Sequence, residues 1–124
     1  MQYYKFFTKG YSFNELKVLS LYKLDSFMKT KSEYLAILKQ FKEKAADKYG
    51  ILKIGIFGSV ARGEQTDDSD LDVCIEVKVP DAFVLVDIRD ELELLCKCKV
   101  DLVRLRKGMS SLFQKNIERD GIFA

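Results

Sequence analysis

The chain has 124 residues, of which 48% are hydrophobic and 12% aromatic, and its formal net charge is +2. This length and composition predict one compact domain with a buried core. The chain has no histidine and no apolar run near the roughly 20 residues of a membrane span, which excludes a Ser-His-Asp triad, a histidine general base and a transmembrane protein.

The first thirty residues are rich in aromatic side chains and lysine. A capping-box pattern, Ser12-x-x-Glu15, is followed by apolar residues at helical spacing and predicts a helix over roughly 13–28. We therefore expect an N-terminal helical extension over residues 1–30, ahead of a domain over residues 31–124. The aromatic side chains could stack on nucleic-acid bases, but packing against the domain or contact with a partner protein is the favoured interpretation.

A second capping box opens the next helix. Thr30-x-x-Glu33 precedes an apolar stripe from Tyr34 to Tyr49 and predicts a helix over roughly 31–49. Further along, the patterns predict strands over about 51–57, 70–78 and 99–105. They also predict a short helix from Ser59 to about Gly63 and a last helix over about 110–119. Between the second and third strands, Asp81 caps a helix whose apolar stripe consists of Phe83, Val84, Ile88, Leu92 and Leu95. This alternation of strands and helices indicates the α/β (α+β) fold class, with a small sheet flanked by helices.

The most informative segment lies where the first predicted strand ends. That strand leads into Gly58-Ser59, and Asp70 and Asp72 follow with ten residues between the serine and the first aspartate. Residues two apart on a strand point to the same side, so both carboxylates can face the Gly-Ser turn. Asp101, inside the third predicted strand, would join them if that strand pairs with the second.

Three carboxylates beside a phosphate-binding turn would repel one another strongly without cations. Two Mg²⁺ ions would relieve this repulsion and would serve nucleotidyl transfer, and Mn²⁺ would also suit the oxygen ligands. Ser59 and nearby amides would hold the β- and γ-phosphates, and Arg62, one turn later, would add a charge-assisted contact. A solvated surface loop accounts poorly for Asp72 and Asp101, because both lie in apolar runs.

The cysteines indicate a reducing compartment. Cys74, Cys96 and Cys98 are few and odd in number, which suits the cytoplasm better than disulfide formation. Cys74 alternates with apolar residues in a strand and is expected to fill the core. Cys96-Lys-Cys98 is too closely spaced for the usual zinc pair, so a structural zinc site is not expected.

The motif resembles that of a known superfamily. Gly58-Ser59, ten residues, and then Asp70-Leu-Asp72 resemble the signature of the DNA polymerase β-like nucleotidyltransferases. Within that superfamily, Gly-Ser-Val-Ala-Arg-Gly-Glu with Ser-Asp-Leu-Asp is most similar to the minimal nucleotidyltransferases (MNT), the antitoxins of HEPN/MNT toxin–antitoxin pairs. The resemblance covers about residues 40–124 and implies a nucleotidyltransferase fold with a mixed sheet.

The resemblance also implies roles for single residues. Asp70 and Asp72 would bind both metal ions, Asp101 would complete the first metal site, and Gly58 and Ser59 would bind the triphosphate. The implied reaction is the transfer of AMP from ATP, in the antitoxin branch to a tyrosine hydroxyl of the cognate HEPN toxin.

Other functions remain open at this point. Only 23 residues follow Asp101, which favours a macromolecular acceptor over a small molecule that the chain would have to hold alone. A non-catalytic antitoxin that neutralises its partner by occlusion is one alternative. A nucleotidyltransferase acting on an aminoglycoside or on RNA is another. A homo-oligomer is also left open, and nucleic-acid binding is less favoured.

Overall fold

The computed structural model describes residues 29–66 and 68–124. In chain order its elements are α1 (Lys31–Tyr49), β1 (Ile51–Phe57), α2 (Gly58–Arg62), β2 (Leu71–Val77), α3 (Ala82–Cys96), β3 (Val100–Arg104), α4 (Ser111–Asp120) and β4 (Ile122–Phe123). The helix predicted over 13–28 lies outside the described residues, so the N-terminal extension and its boundary with the domain stay predictions. Among the described helices, none is long and apolar enough to cross a membrane.

The four strands form one mixed sheet in the order β3-β2-β1-β4. β1 pairs antiparallel with β2 and with β4, whereas β2 and β3 run parallel. Parallel neighbours need a crossover connection, and α3 provides it. The predicted fold class, a small mixed sheet flanked by helices, is confirmed.

The predicted caps fix the ends of α1 and α3. The Thr30 hydroxyl accepts a hydrogen bond from the Glu33 backbone N–H at 3.2 Å, and the Glu33 carboxylate accepts one from the Thr30 N–H at 3.2 Å. Gly50 ends α1 with a φ of 67°, a conformation that glycine adopts without a Cβ penalty. At α3, the Asp81 carboxylate accepts a hydrogen bond from the Phe83 N–H at 2.9 Å.

Most of the core lies on one face of the sheet, which we call the core face. Helices α1 and α3 pack on it, and its largest fully buried side chains include Ile37, Leu38, Phe41, Ile54, Ile56, Leu71, Ile75, Ile88, Leu92 and Leu95. On the opposite face, Phe57 and Cys74 pack with Ile117 of α4. The prediction that Cys74 fills the core is confirmed, since its side chain is fully buried.

One prediction about the helices is wrong, and two features of the structure were not predicted from the sequence. Helical spacing puts Phe83 on the buried stripe of α3, and this prediction is wrong, because the first turn of the helix leaves its side chain 85% exposed. Strand β4 is too short to show a hydrophobic pattern in the sequence. It fits against β1 because Gly55 has no side chain: a Cβ added there would lie 2.6 Å from the Ile122 carbonyl oxygen. Glu91 is buried and accepts a hydrogen bond from the Tyr49 hydroxyl at 3.0 Å.

Candidate active site

The turn between β1 and α2 brings the backbone close to a carboxylate. Gly58 has a φ of +72°, and a Cβ at this position would collide with the carboxylate of Asp72. Glycine alone combines this backbone conformation with such a close approach. Ser59 follows as the second residue of α2 and is half-buried. The predicted Gly-Ser turn therefore lies directly against β2.

Strand pairing places two of the predicted carboxylates side by side. Asp72 lies opposite Phe57, the last residue of β1, and beside Asp101 of β3. Register partners point to the same face of a sheet, so both carboxylates lie on the face that carries α4. The pairing of the two strands, which was the condition for Asp101 to join the site, is therefore met. Asp101 does lie in an apolar strand run, as predicted, but β3 is an edge strand and this residue is exposed.

Asp72 is the centre of a group of interacting charges. Burial, followed by the charges of Asp101 and Asp70, raises the pKa of the Asp72 carboxyl to about 6, and the Arg62 guanidinium opposes part of this rise. The exposed Asp70, one residue before β2, is therefore within electrostatic reach of Asp72. Over residues 29–66 and 68–124, no three Asp, Glu or Cys side chains lie close enough together to hold a metal ion. Like charges favour side-chain orientations that point apart.

Arg62, at the end of α2, is held by two acidic side chains. Its Nε donates to Glu64 Oε2 at 3.1 Å, and its Nη1 donates to Asp120 Oδ2 at 2.9 Å. The bond to Asp120, and then that to Glu64, raises the pKa of the guanidinium. Arg62 thus links α2 to the end of α4. Sequence reasoning missed Asp120, because it is 58 residues from Arg62 and belongs to no local motif.

A cavity of about 360 Å³ is lined by Asp70 but not by Asp72 or Asp101. Its polar lining includes Ser69, Lys97 and Lys99, together with Gln65. The Gln65 side chain is fixed by a hydrogen bond from its Nε2 to the Lys29 carbonyl oxygen at 3.1 Å. No sequence signal points to this cavity, because its lining comes from segments that only the fold brings together.

Comparison with known proteins identifies the family. Residues 38–124 match the sequence profile of the nucleotidyltransferase domain. The chain belongs to the nucleotidyltransferase domain family. This nucleotidyltransferase is 31% identical over 97 residues to the protein adenylyltransferase MntA of Thermococcus cleftensis, a match that covers 77% of this chain and 97% of MntA. It is 38% identical over 97 residues to MJ0126 of Methanocaldococcus jannaschii, a candidate protein adenylyltransferase by name, with 77% of this chain and 99% of that protein covered.

Solved structures share the fold of this nucleotidyltransferase. A chain in a toxin–antitoxin crystal structure with AMP-PNP gives a TM-score of 0.59 at 22% identity, covering 71% of this chain and 69% of that one. A chain in the complex of tri-AMPylated Shewanella oneidensis HEPN toxin with MNT antitoxin gives 0.53 at 19% identity, covering 76% and 71%. The predicted resemblance to minimal nucleotidyltransferases is confirmed.

Proposed function

We propose that this enzyme transfers AMP from ATP to a tyrosine hydroxyl of a partner HEPN-family toxin and thereby acts as the antitoxin of that partner. The proposal rests on the register of β2 and β3, which puts Asp72 beside Asp101, next to the turn at Gly58. Relatives at 31% and 38% identity that are named as protein adenylyltransferases support AMP transfer to a protein. The complex of an AMPylated HEPN toxin with an antitoxin of the same fold supports the choice of partner.

Asp70 and Asp72 would hold two Mg²⁺ ions, and Asp101 would complete the first metal site. The donors fit because carboxylate oxygens are the ligands that Mg²⁺ and Mn²⁺ prefer. The raised pKa of Asp72, about 6, reports burial and two neighbouring negative charges, a situation that a divalent cation relieves. When bound, the ions would supply electrostatic stabilisation to the triphosphate and to the acceptor oxygen.

Gly58, Ser59 and Arg62 would bind the triphosphate. The turn at Gly58 lies against the Asp72 carboxylate, so phosphates held there would be next to the metal ligands. The Ser59 hydroxyl and the neighbouring backbone N–H groups would donate to phosphate oxygens. Arg62 would contribute charge-assisted hydrogen bonds from its planar guanidinium.

In the reaction, the acceptor oxygen attacks the α-phosphorus of ATP. A bond forms between that oxygen and the α-phosphorus, the bond to the oxygen that bridges to the β-phosphate breaks, and pyrophosphate leaves. Asp101 is exposed and would accept the proton of the hydroxyl. Because Asp101 is on an edge strand, a folded partner can bring a side chain to it without entering a closed pocket.

We also place the enzyme in the cytoplasm. Its three cysteines form no disulfide with one another, as expected in a reducing compartment. Burial raises the pKa of the Cys74 thiol to about 11, so this cysteine is protonated at neutral pH and unreactive.

The test is to incubate the enzyme with labelled ATP, Mg²⁺ and a HEPN-family toxin from the same genome. We expect label on a tyrosine of that protein, and no label when Mg²⁺ is chelated. The double variant Asp70→Asn/Asp72→Asn should lower labelling by about 10³-fold or more, because removing catalytic groups that act together has effects of this size.

The matched control is Asp87→Asn/Asp90→Asn, which also removes two negative charges, but from α3, and should leave labelling unchanged. Labelling that persists in Asp70→Asn/Asp72→Asn would refute the mechanism. Toxin neutralisation by that variant without labelling would favour an antitoxin that acts by occlusion. Transfer of AMP to an aminoglycoside or to RNA, but not to the HEPN protein, would show that the proposed acceptor is wrong.

A further inference from the structure

Asp120, the last residue of α4, joins this helix to the candidate active site. Its side chain is only 6% exposed. Its Oδ2 accepts hydrogen bonds from Nη1 of Arg62 at 2.9 Å and from Nη2 of Arg119 at 2.9 Å. Its Oδ1 accepts a further bond from Nε of Arg119 at 3.0 Å. One carboxylate thus anchors two guanidinium groups.

The position of Asp120 is unfavourable for an acidic residue in a helix taken alone. The C-terminus of a helix carries partial negative charge and favours cations. The bonds from Arg119 and Arg62 nevertheless lower the pKa of the Asp120 carboxyl to about 2. The carboxylate is therefore ionised at every pH at which the enzyme would act, and its pairing with the arginines outweighs the effect of the helix end.

Arg62 has hydrogen-bonding capacity that its two acidic partners do not use. A guanidinium has five N–H donors, and the bonds to Glu64 and Asp120 use two of them. The other three have no partner within residues 29–66 and 68–124. Arg62 lies three residues after Ser59 on α2, and α2 packs against β2, the strand that carries Asp72.

We propose that Asp120 is a positioning residue, which holds the Arg62 guanidinium so that its remaining N–H donors face the β- and γ-phosphates of ATP. This inference rests on the proposed function, in which Arg62 binds the triphosphate. A free arginine would have to lose side-chain entropy when the nucleotide binds. The bond to Asp120 fixes the side chain beforehand, as preorganisation requires.

The test is a double-mutant cycle on nucleotide binding, measured by calorimetry with AMP-PNP and Mg²⁺. We expect Arg62→Ala to weaken binding about tenfold or more, as loss of charge-assisted hydrogen bonds does. Asp120→Asn should weaken it about fivefold. In the Arg62→Ala background, Asp120→Asn should have no further effect, because residues that act through one another are not additive.

Asp90→Asn is the matched control, since it removes the same charge from the surface of α3. Asp120→Glu keeps the charge and should recover part of the lost affinity. AMP lacks the β- and γ-phosphates, so its binding should change less than twofold in Asp120→Asn. Thermal unfolding verifies the fold, and if Asp120→Asn does not fold, the cycle is run with Asp120→Glu and Arg62→Lys.

The outcomes separate this inference from the proposed function. Equal losses from Asp120→Asn with and without Arg62 would show that Asp120 acts independently, and they would overturn the inference while AMP transfer stands. Normal AMP-PNP binding by Arg62→Ala would also overturn the inference and leave AMP transfer standing. Failure of the unmodified enzyme to bind AMP-PNP with Mg²⁺ would overturn the proposed function and the inference together.

Discussion

The two faces of the sheet differ in how much apolar surface they bury. On the core face, under α1 and α3, nineteen described residues form one buried cluster. On the opposite face, which we call the site face, the buried cluster among described residues consists of Phe57, Cys74 and Ile117. Asp72 and Asp101 also point to the site face. Packing therefore dominates one face, whereas the other combines a small cluster with charged groups.

This difference shows how a small domain accommodates a group of like charges. A one-residue slip of β2 would move its apolar side chains from the core face to the site face. The core face therefore fixes the register, and the register fixes Asp72 beside Asp101. The repulsion among the aspartates is too weak to change it, because burial of each large apolar side chain contributes about 1.5–3 kcal/mol.

The comparison predicts that the same substitution costs more on the core face than on the site face. Ile37 is 1% exposed and Ile117 is 8% exposed. Ile→Ala substitutions remove equal volumes and cost about 2–5 kcal/mol, depending on the cavity that remains. We expect Ile37→Ala to lower the free energy of unfolding by about 4 kcal/mol and Ile117→Ala by about 2 kcal/mol. Urea denaturation followed by circular dichroism measures both.

The same pair of variants separates stability from function. Ile117→Ala sits on the helix that carries Asp120, so nucleotide binding should weaken in it more than in Ile37→Ala at a temperature where both are folded. Equal costs of unfolding would show that the site face contributes as much to folding as the core face.

Gly58→Ala should affect activity far more than stability. The positive φ of Gly58 makes a Cβ costly by about 1–2 kcal/mol, and that Cβ would displace the Asp72 carboxylate. A displacement of about 1 Å at a reacting group can lower the rate about 100-fold. We expect AMP transfer to fall by about that factor, measured as the initial rate of labelling.

Gly63→Ala is the control that isolates the collision. Gly63 has nearly the same φ, +73°, but no described atom lies within 4 Å of the added Cβ. It should therefore lose a similar free energy of unfolding and keep its rate of AMP transfer. Equal losses of activity in the two variants would contradict the role assigned to the contact between Gly58 and Asp72.

The described helices and strands could be read from the sequence wherever local signals define them. The caps at Thr30 and Asp81 and the glycine at 50 mark helix ends, and the bounds of the predicted elements agree with the structure within one residue. The motif also identified the turn at Gly58. Strand periodicity predicts that Asp101 lies beside Asp72 only if the two strands pair, and the structure supplies that pairing.

The remainder depends on contacts that local patterns do not encode. The spacing of apolar residues assigns Phe83 to the stripe of α3, but it does not reveal that the first turn of this helix leaves Phe83 exposed. The partner of Arg62 is 58 residues away, and only the packing of α4 on the sheet brings it near. The exposure of Asp101 follows from its place on an edge strand, which depends on the order of strands in the sheet.

The smallest expected effect concerns pH and the charge of Asp72. The pKa of this carboxyl is about 6 in the folded protein against 3.8 for an ordinary aspartate. Between these values the folded state keeps a proton that the unfolded chain has released, so the free energy of unfolding should fall as pH rises from about 4 to about 6. Because the group is partly solvated, we expect a fall of at most about 1 kcal/mol. Urea denaturation across this window should show it in the unmodified protein and not in Asp72→Asn.

Adding Mg²⁺ should reverse this loss. Metal binding requires the deprotonated carboxylate, and a ligand that binds only the folded state raises the free energy of unfolding with its concentration. At pH 7.5, millimolar Mg²⁺ should therefore stabilise the unmodified protein and leave Asp72→Asn unchanged. At pH 5 the stabilisation should be smaller, because protons compete with the ion. A Mg²⁺ effect of equal size in both proteins would place the bound cation elsewhere and would contradict the proposed metal site at Asp72.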